Sequence, residues 1–144
     1  MQVQARAKIN LALDVVERMD NGYHSLDMIM APISIYDEIE IEKSDCDMVE
    51  CEGMKLPENN TVSKMIQVLK DTYHLDSSFT VSIKKHIPAQ AGLGGGSADA
   101  AAVCKAILKM EGIEETEENL YEITKQVGAD VPFCIHDKWA RVKG

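Results

Sequence analysis

The segment that decides the fold prediction is Pro88-Ala89-Gln90-Ala91-Gly92-Leu93-Gly94-Gly95-Gly96-Ser97-Ala98-Asp99, and it runs directly into an alanine-rich stretch with helical periodicity. Four of the five residues from position 92 to position 96 are glycine, so this wall of the loop lacks Cβ atoms and its backbone can approach a ligand closely. The helix that follows begins with unpaired N–H groups and the positive end of its dipole. Together the loop and the helix start predict an anion site, and phosphate is the usual occupant of such a site.

Two better-known phosphate-binding loops do not fit this segment. A P-loop has Lys and then Ser or Thr after its last glycine, where this chain has Ser97 and Ala98. The dinucleotide-binding fingerprint requires glycine at position 97 and belongs to an early strand–helix unit. A glycine-rich hinge or a closely packed helix start is the structural alternative, but three consecutive glycines destabilise a fold unless a ligand needs them. We therefore expect phosphate binding, with the Ser97 hydroxyl available to a phosphate or to a phosphate-bound Mg²⁺.

The first half of the chain carries hairpin signals. Two apolar stretches, residues 2–16 and 23–35, flank an Asp20-Asn21-Gly22 turn, and Asn-Gly tolerates the positive φ of a tight hairpin. Because hairpin signals dominate this half, the sequence favours an α+β fold over a doubly wound parallel sheet.

Further strand and helix patterns alternate along the chain. Residues 37–43 place Asp37, Ile39 and Ile41 in phase and glutamates between them, which predicts a half-solvated strand with residues 48–51 as its short partner. Residues 79–83 alternate in the same way, and apolar residues recur at helical spacing in 62–73, 100–108 and 117–127, the last ending at Gly128.

Length and composition are those of one compact domain, or of half of a larger one. The chain has 144 residues, of which 45% are apolar and 27% charged. The longest apolar run without a charge, residues 28–36, is about half of what a bilayer span requires. Near the amino terminus, Arg6, Lys8 and Asp14 leave too short an apolar run for a signal peptide. We therefore expect a cytosolic protein with no membrane partner.

The charge balance argues against nucleic acid as a partner. The chain has 15 Lys and Arg against 24 Asp and Glu, a net charge of -9, and an acidic surface repels phosphate backbones. A small anionic molecule in a local amide-lined pocket remains compatible with this balance. The cysteines do not have the spacing of a zinc site, so we expect free thiols and no metal ligands. They are Cys46, Cys51, Cys104 and Cys134.

A few other residues offer chemistry, although each has an ordinary structural explanation. Lys8 lies in an apolar run with Asn10 on the same strand face, and such a lysine is usually exposed on an edge strand. Asp130 follows a helix end, where aspartate often caps a helix or forms a turn. Tyr23 and His24 offer stacking and hydrogen bonding to a ring, or are ordinary strand residues. The sequence pattern alone does not choose between these explanations.

The chain resembles one kinase family in three separated regions. They are Ala5-Arg6-Ala7-Lys8-Ile9-Asn10-Leu11, Asn21-Gly22-Tyr23-His24, and the glycine-rich loop with Gly128-Ala129-Asp130-Val131-Pro132-Phe133. The resemblance is to the amino-terminal part of the kinases that act on 4-diphosphocytidyl-2-C-methyl-D-erythritol. These belong to the galactokinase, homoserine, mevalonate and phosphomevalonate (GHMP) kinase superfamily. The loop indicates only the superfamily, whereas the first two regions point to this member.

The resemblance implies a fold and a domain organisation. The expected fold is α+β and ribosomal-protein-like, with a mixed or antiparallel sheet packed on helices in two layers. Residues 1–144 would form the amino-terminal ATP-binding domain, without the carboxy-terminal domain that family members carry. The surface that this second domain covers would then favour self-association.

The resemblance also implies a reaction and catalytic roles. The reaction is ATP-dependent phosphorylation of a hydroxyl of the methylerythritol unit, in the non-mevalonate route to isoprenoid precursors. Asp130 would accept the hydroxyl proton, with Lys8 beside it. Asn10 would help to place this cytidine diphosphate substrate, Tyr23 would stack on the cytosine, and His24 would bind its polar edge.

For the nucleotide, the resemblance assigns residues 88–98 to the ATP phosphates, with Mg²⁺ as the expected companion ion. Asn60 and Lys85 fall where the family approaches the nucleotide. No residue is assigned as a metal ligand. Phosphoryl transfer depends chiefly on positioning and charge neutralisation, which suits so small a catalytic set.

Two alternatives remain, and the first follows from departures from the family pattern. The family continues for about another domain's length, and Asp137-Lys138 stands where paired glycines are usual. A nucleotide-binding module without turnover is therefore the second hypothesis. Another kinase of the superfamily, acting on a mevalonate-like acid, is the third, and the Tyr23-His24 pair argues against it.

Overall fold

The computed structural model describes the backbone of residues 1–18, 24–53, 56, 60–87, 95–136 and 140–143. The described side chains exclude those of residues 9–18, 24–31, 136 and 140–143. These residues form a mixed sheet with a layer of helices on one face, which confirms the predicted α+β fold.

The sheet is built around one long central strand. Its order is β1-β2-β4-β3, and β5 pairs with β2 as well. All pairs are antiparallel except β3 with β4, which is parallel. The strands are β1 (Gln2–Arg18), β2 (His24–Ser44), β3 (Met48–Cys51), β4 (Ser78–Lys84) and β5 (Ala140–Lys143).

Two strand predictions need correction. The stretches 23–35 and 37–43 are not separate strands, because β2 continues through both of them. Residues 48–51 form a strand, but their partner is β4 and not residues 37–43. β4 is distant in sequence from β2, yet it pairs with β2 and separates it from β3. The order of the strands along the chain therefore did not predict the partner of β3.

The described residues include four helices: α1 (Thr61–Tyr73), α2 (Gly95–Met110), α3 (Glu117–Thr124) and α4 (Val131–His136). Of these, α2 makes most of the contacts with the sheet. Asn60 caps α1 by accepting from Ser63 N at 2.9 Å. The third helix ends earlier than predicted, at Thr124, and the residues up to Gly128 form turns. α4 was not predicted, although Pro132 is compatible with it because proline is tolerated in the first turn of a helix.

The core lies between the inner face of the sheet and α2. Helix α2 contacts β1 and β2 on one side and α1 and α4 on the other. Its small alanine side chains allow this close approach on several sides. The fully buried residues include Ile41, Phe79 and Val81 of the sheet and Met65, Leu69, Val103 and Ile107 of the helices. Within the described part of the chain, no helix has the length and apolar character needed to cross a bilayer.

Candidate active site

Lys8 is a buried lysine on a strand whose pairing is interrupted beside it. Ala5, Arg6 and Ala7 alternate between the core and solvent, but Lys8 is buried immediately after the buried Ala7. The β1–β2 register shifts between Arg6 and Lys8, where the facing residue is Pro32. Such irregularities redirect side chains, and proline donates no hydrogen bond to the ladder. The usual exposed lysine of an edge strand is therefore not what this position holds.

The Lys8 ammonium meets a carboxylate that remains open to solvent. Lys8 Nζ lies 3.3 Å from Asp130 Oδ2, and the two side chains are 7% and 45% exposed. Asp130 precedes α4, and its carbonyl accepts from Cys134 N at 3.2 Å. At the start of α4, Asp130 therefore accepts a hydrogen bond through its backbone carbonyl and not through its side chain. The carboxylate remains available for chemistry. A buried cation beside a half-exposed carboxylate can bind and deprotonate an incoming hydroxyl.

The start of α2 lies beside this pair. A Cβ on Gly128, two residues before Asp130, would lie 4.0 Å from Ser97 Oγ. Thr61 Oγ1, at the start of α1, donates to the Gly96 carbonyl at 2.8 Å. The first turn of α2 is therefore held between α1 and the segment that carries Asp130. This turn contains no acidic residue, and Gly96 is exposed.

Gly95 and Gly96 also have a packing role. A Cβ at Gly95 would lie 3.2 Å from Lys85 Nζ and 3.2 Å from Ile87 Cγ2. A Cβ at Gly96 would lie 3.3 Å from Thr61 Oγ1. Close packing at the helix start is the alternative explanation that the sequence offers for the glycines. At Gly95 and Gly96 such close packing is present. Residues 88–94 lie outside the described residues.

Lys85 lies in a second charged group, which we call the loop-base cluster: Asp37, Lys85 and Asp99. Lys85 Nζ donates to Asp37 Oδ2 at 2.7 Å and to Asp99 Oδ2 at 2.9 Å. Asp37 is fully buried, and its Oδ1 accepts from His86 N at 2.7 Å and from Ile87 N at 2.9 Å. Asp99 is 3% exposed, and its Oδ1 accepts no hydrogen bond from any described donor.

The two carboxyls of the loop-base cluster have opposite pKa shifts. Burial raises the pKa of Asp99 to about 8, and the neighbouring Asp37 carboxyl adds to this while Lys85 opposes it. Burial also pushes the pKa of Asp37 upward, but hydrogen bonds from Asp99, Ile87, Lys85 and His86 outweigh burial and lower it. Burial lowers the pKa of Lys85, yet the two carboxyls raise it overall. A proton on Asp99, shared with Asp37, accounts for both carboxyl shifts.

The remaining predicted residues are only partly described. Asn10 lies on β1 opposite Met30, and His24 begins β2 opposite Arg18. The side chains of Asn10 and His24 are not among those that the structure describes. Tyr23 lies outside the described residues. Asn60 immediately precedes Thr61, whose hydroxyl donates to the Gly96 carbonyl. Asn60 therefore lies near the start of α2.

Sequence analysis missed three residues of this region: Asp37, Asp99 and Thr61. Asp37 was detectable, because its phase with buried isoleucines put a carboxylate on the core side of a strand. Asp99 lies four residues before the buried Val103, so helical spacing also placed it on the buried face. The bond from Thr61 joins residues 35 positions apart and left no local signal.

A separate groove of about 840 Å³ lies on the solvent face of the sheet. It does not include the predicted site residues, and it carries four glutamates, so it does not suit a phosphate ligand. Those glutamates are Glu38, Glu40, Glu50 and Glu52.

Comparison with known protein families gives a match that includes part of this region. The model of the GHMP kinases N terminal domain matches residues 60–138, which include the start of α2, the loop and Asp130. The chain belongs to the GHMP kinase family. Lys8, Asn10, Tyr23 and His24 lie outside the matched residues.

Individual kinases of one member of this family are similar to this chain along all or nearly all of its length. The 4-diphosphocytidyl-2-C-methyl-D-erythritol kinase of Clostridium beijerinckii is 42% identical over 147 residues, covering 100% of this chain and 52% of the relative. The enzyme of the same name from Acetivibrio thermocellus is 44% identical over 138 residues, covering 94% and 49%. The chain thus spans about half the length of the curated relatives that it matches. The predicted resemblance is confirmed.

Solved structures lead to the same family. A crystal structure of 4-(cytidine 5'-diphospho)-2C-methyl-D-erythritol kinase matches with a TM-score of 0.87 at 31% identity, covering 100% of this chain and 52% of that one. Phosphomevalonate kinase of Streptococcus pneumoniae matches with a TM-score of 0.74 at 16% identity, covering 100% and 48%. The second likeness shows a shared fold alone.

Proposed function

We propose that this chain is the nucleotide-binding part of a kinase that phosphorylates a hydroxyl of 4-diphosphocytidyl-2-C-methyl-D-erythritol. The reaction would serve the non-mevalonate route to isoprenoid precursors. The observation that carries the proposal is the buried Lys8 ammonium against the half-exposed Asp130 carboxylate, next to the start of α2. The names of the similar kinases supply the substrate.

In the proposed mechanism Asp130 is the general base. Its exposed carboxylate accepts the proton of the substrate hydroxyl as the oxygen attacks phosphorus. Lys8 holds Asp130 in place through their ion pair, and it supplies positive charge beside the attacking oxygen. The burial of Lys8 strengthens this effect because few water molecules screen it.

The described residues at the start of α2 fit a nucleotide phosphate. Gly95, Gly96 and Ser97 offer backbone N–H groups of a helix N-terminus, without an acidic side chain in the first turn. We assign the ATP phosphates to residues 88–98, with Asn60 and Lys85 nearby and the Ser97 hydroxyl toward a phosphate or its Mg²⁺. When bound, ATP supplies the transferred phosphoryl group and Mg²⁺ neutralises its charge.

Asn10, Tyr23 and His24 complete the proposal as substrate-binding residues. Asn10 would orient the methylerythritol unit, since it follows Lys8 by two positions on β1. Tyr23 would stack on cytosine and His24 would form hydrogen bonds with its edge.

The decisive experiment measures ADP release that depends on the diphosphocytidyl substrate. The chain is assayed with this substrate and with mevalonate and phosphomevalonate side by side. Release with the first substrate alone supports the proposal, whereas release with a mevalonate-type acid replaces it with the other superfamily activity. Calorimetry with ADP belongs to the same experiment. Nucleotide binding without release on any substrate favours the module without turnover, and absence of nucleotide binding overturns the ATP site.

A further inference from the structure

The Asp37 carboxylate holds three consecutive residues at the point where the chain enters the glycine-rich loop. Its Oδ2 accepts from the Lys85 ammonium, and its Oδ1 accepts from the backbone of His86 and Ile87. These bonds range from 2.7 to 2.9 Å, and the carboxylate is fully buried. Charge-assisted hydrogen bonds of this kind are the strong ones in proteins. The entry to the loop is therefore fixed by a side chain from the central strand of the sheet.

Lys85 carries this connection across to the exit of the loop. Its ammonium also donates to Asp99, which lies in the second turn of α2 and is 14 residues further along the chain. The seven loop residues, 88–94, lie between these two anchored ends. Gly95 allows the bridge to pass, because a Cβ there would lie 3.2 Å from Lys85 Nζ. One ammonium thus joins both ends of the loop to the sheet.

The loop-base cluster has no excess positive charge with which to bind a phosphate. A single ammonium faces two carboxyls, one of them fully buried and the other 3% exposed. A phosphate approaching Lys85 Nζ would compete with both and would leave a carboxylate buried without its partner, which is costly. The ammonium is better suited to hold the loop than to bind the nucleotide directly.

We propose that Asp37, Lys85 and Asp99 are positioning residues that close the base of the glycine-rich loop, and that the Lys85 side chain promotes nucleotide binding through this bridge and not as a phosphate ligand. The inference rests on the proposed function for its ligand. It assigns buried carboxyl groups a part in nucleotide affinity without contact to the nucleotide.

Nucleotide affinities of single and double variants test the proposal. ADP and ATP are titrated into the chain and into Asp99→Leu, Lys85→Met and the double variant. The matched controls are Lys84→Met, an exposed neighbour on β4, and Asp76→Asn, an exposed acid near the other end of that strand. Asp99→Asn is a third control, because its amide reproduces a protonated carboxyl: the oxygen accepts from Lys85 and the NH2 group donates to Asp37. Asp99→Leu removes both contacts at similar volume and leaves the Lys85–Asp37 pair neutral, so it is the variant expected to fold if Lys85→Met does not.

The bridge predicts that Asp99→Leu and Lys85→Met each weaken ADP binding, by about threefold to thirtyfold. The double variant is expected to be no weaker than Lys85→Met, because both changes break one unit. The controls should bind as the parent does. Unchanged or tighter ADP binding in Asp99→Leu overturns the bridge, because a Lys85 ammonium that contacts phosphate would bind it at least as well without Asp99.

Amide exchange separates this inference from the proposed function. A parent chain that binds no nucleotide would overturn the function, but the bridge would still be tested by the amides of His86 and Ile87. Faster exchange of these two amides in Asp99→Leu, with those of α1 unchanged, supports a connection across the loop. Equal exchange in the parent and in Asp99→Leu overturns it.

Discussion

Two groups in this domain are built from the same two residue types, lysine and aspartate, but differ in the function we propose for them. Lys8 has one described carboxylate, Asp130, which is 45% exposed. Lys85 has two carboxyl groups as partners, both nearly or fully buried. The first group keeps an acceptor open to a substrate, whereas the members of the second are bonded mainly to one another and to backbone N–H groups. Exposure and the number of partners, more than residue type, therefore distinguish a reactive group from a supporting one.

The largest expected effect comes from removing the open carboxylate. Asp130→Asn should lower the rate of substrate-dependent ADP release by about a thousandfold, because an amide cannot accept the hydroxyl proton. ADP affinity should change little, and the chain is expected to stay folded because the amide oxygen of the variant can still accept from the buried Lys8 ammonium. Equal turnover in Asp130→Asn and the parent, both folded, would remove Asp130 from the mechanism.

Removing the hub of the loop-base cluster should act on stability instead. Asp37→Ala is expected to lower the free energy of unfolding by about 3 kcal/mol, because it removes three hydrogen bonds and leaves the buried Ile87 N–H without its partner. Urea denaturation measures this loss, and Glu38→Ala, the exposed neighbour, is the control. A loss as small as that of Glu38→Ala would contradict a structural role for Asp37.

The buried partner of Asp130 comes next. Lys8→Met should lower turnover by about a hundredfold, because it keeps the apolar stem and removes only the ammonium. Steady-state kinetics should place most of this loss in kcat. A loss confined to the KM for ATP would show that Lys8 contacts the nucleotide and not the attacking oxygen.

The smallest expected effect is a pH dependence of stability. Because the pKa of Asp99 is raised to about 8 in the folded chain, unfolding releases a proton between about pH 4 and pH 8. Stability from this group is fully present below pH 4 and is lost progressively as pH rises through 8.

Asp99→Asn should remove this dependence, and urea midpoints at pH 5, 7 and 9 measure it. The other titratable groups facing Asp99 keep their charge state in this range. Burial raises the pKa of the Cys51 thiol, Lys85 stays protonated, and the pKa of Asp37 is lowered. Parallel curves for the parent and Asp99→Asn would assign the proton elsewhere.

How far the sequence predicts this molecule depends on the range of each interaction. The glycine-rich loop, the helix caps and the alternation over residues 37–43 are local, and their helices and strands follow from the pattern. The partner of β3 and the single course of β2 depend on pairing between distant segments, which periodicity does not encode. The Lys8–Asp130 pair joins residues 122 positions apart, and only the family resemblance connected them before the structure did.

The burial of Lys8 illustrates the same limit. The sequence pattern predicts an exposed Lys8, and the alternation of buried Ala5, exposed Arg6 and buried Ala7 would continue to such a position. The shift of register opposite Pro32 reverses this expectation. Such a shift arises from two strands together, so neither strand's own sequence reveals it.

The parallel strand β3 also determines how the sheet meets other proteins. It has only four residues, and it lies at the outer end of the strand order, beyond β4. Its solvent-facing Glu50 and the following Glu52 put negative charge along that border. A second copy adding its own β3 there would gain few backbone hydrogen bonds and would meet like charges. This margin of the domain is consequently protected against strand-by-strand polymerisation.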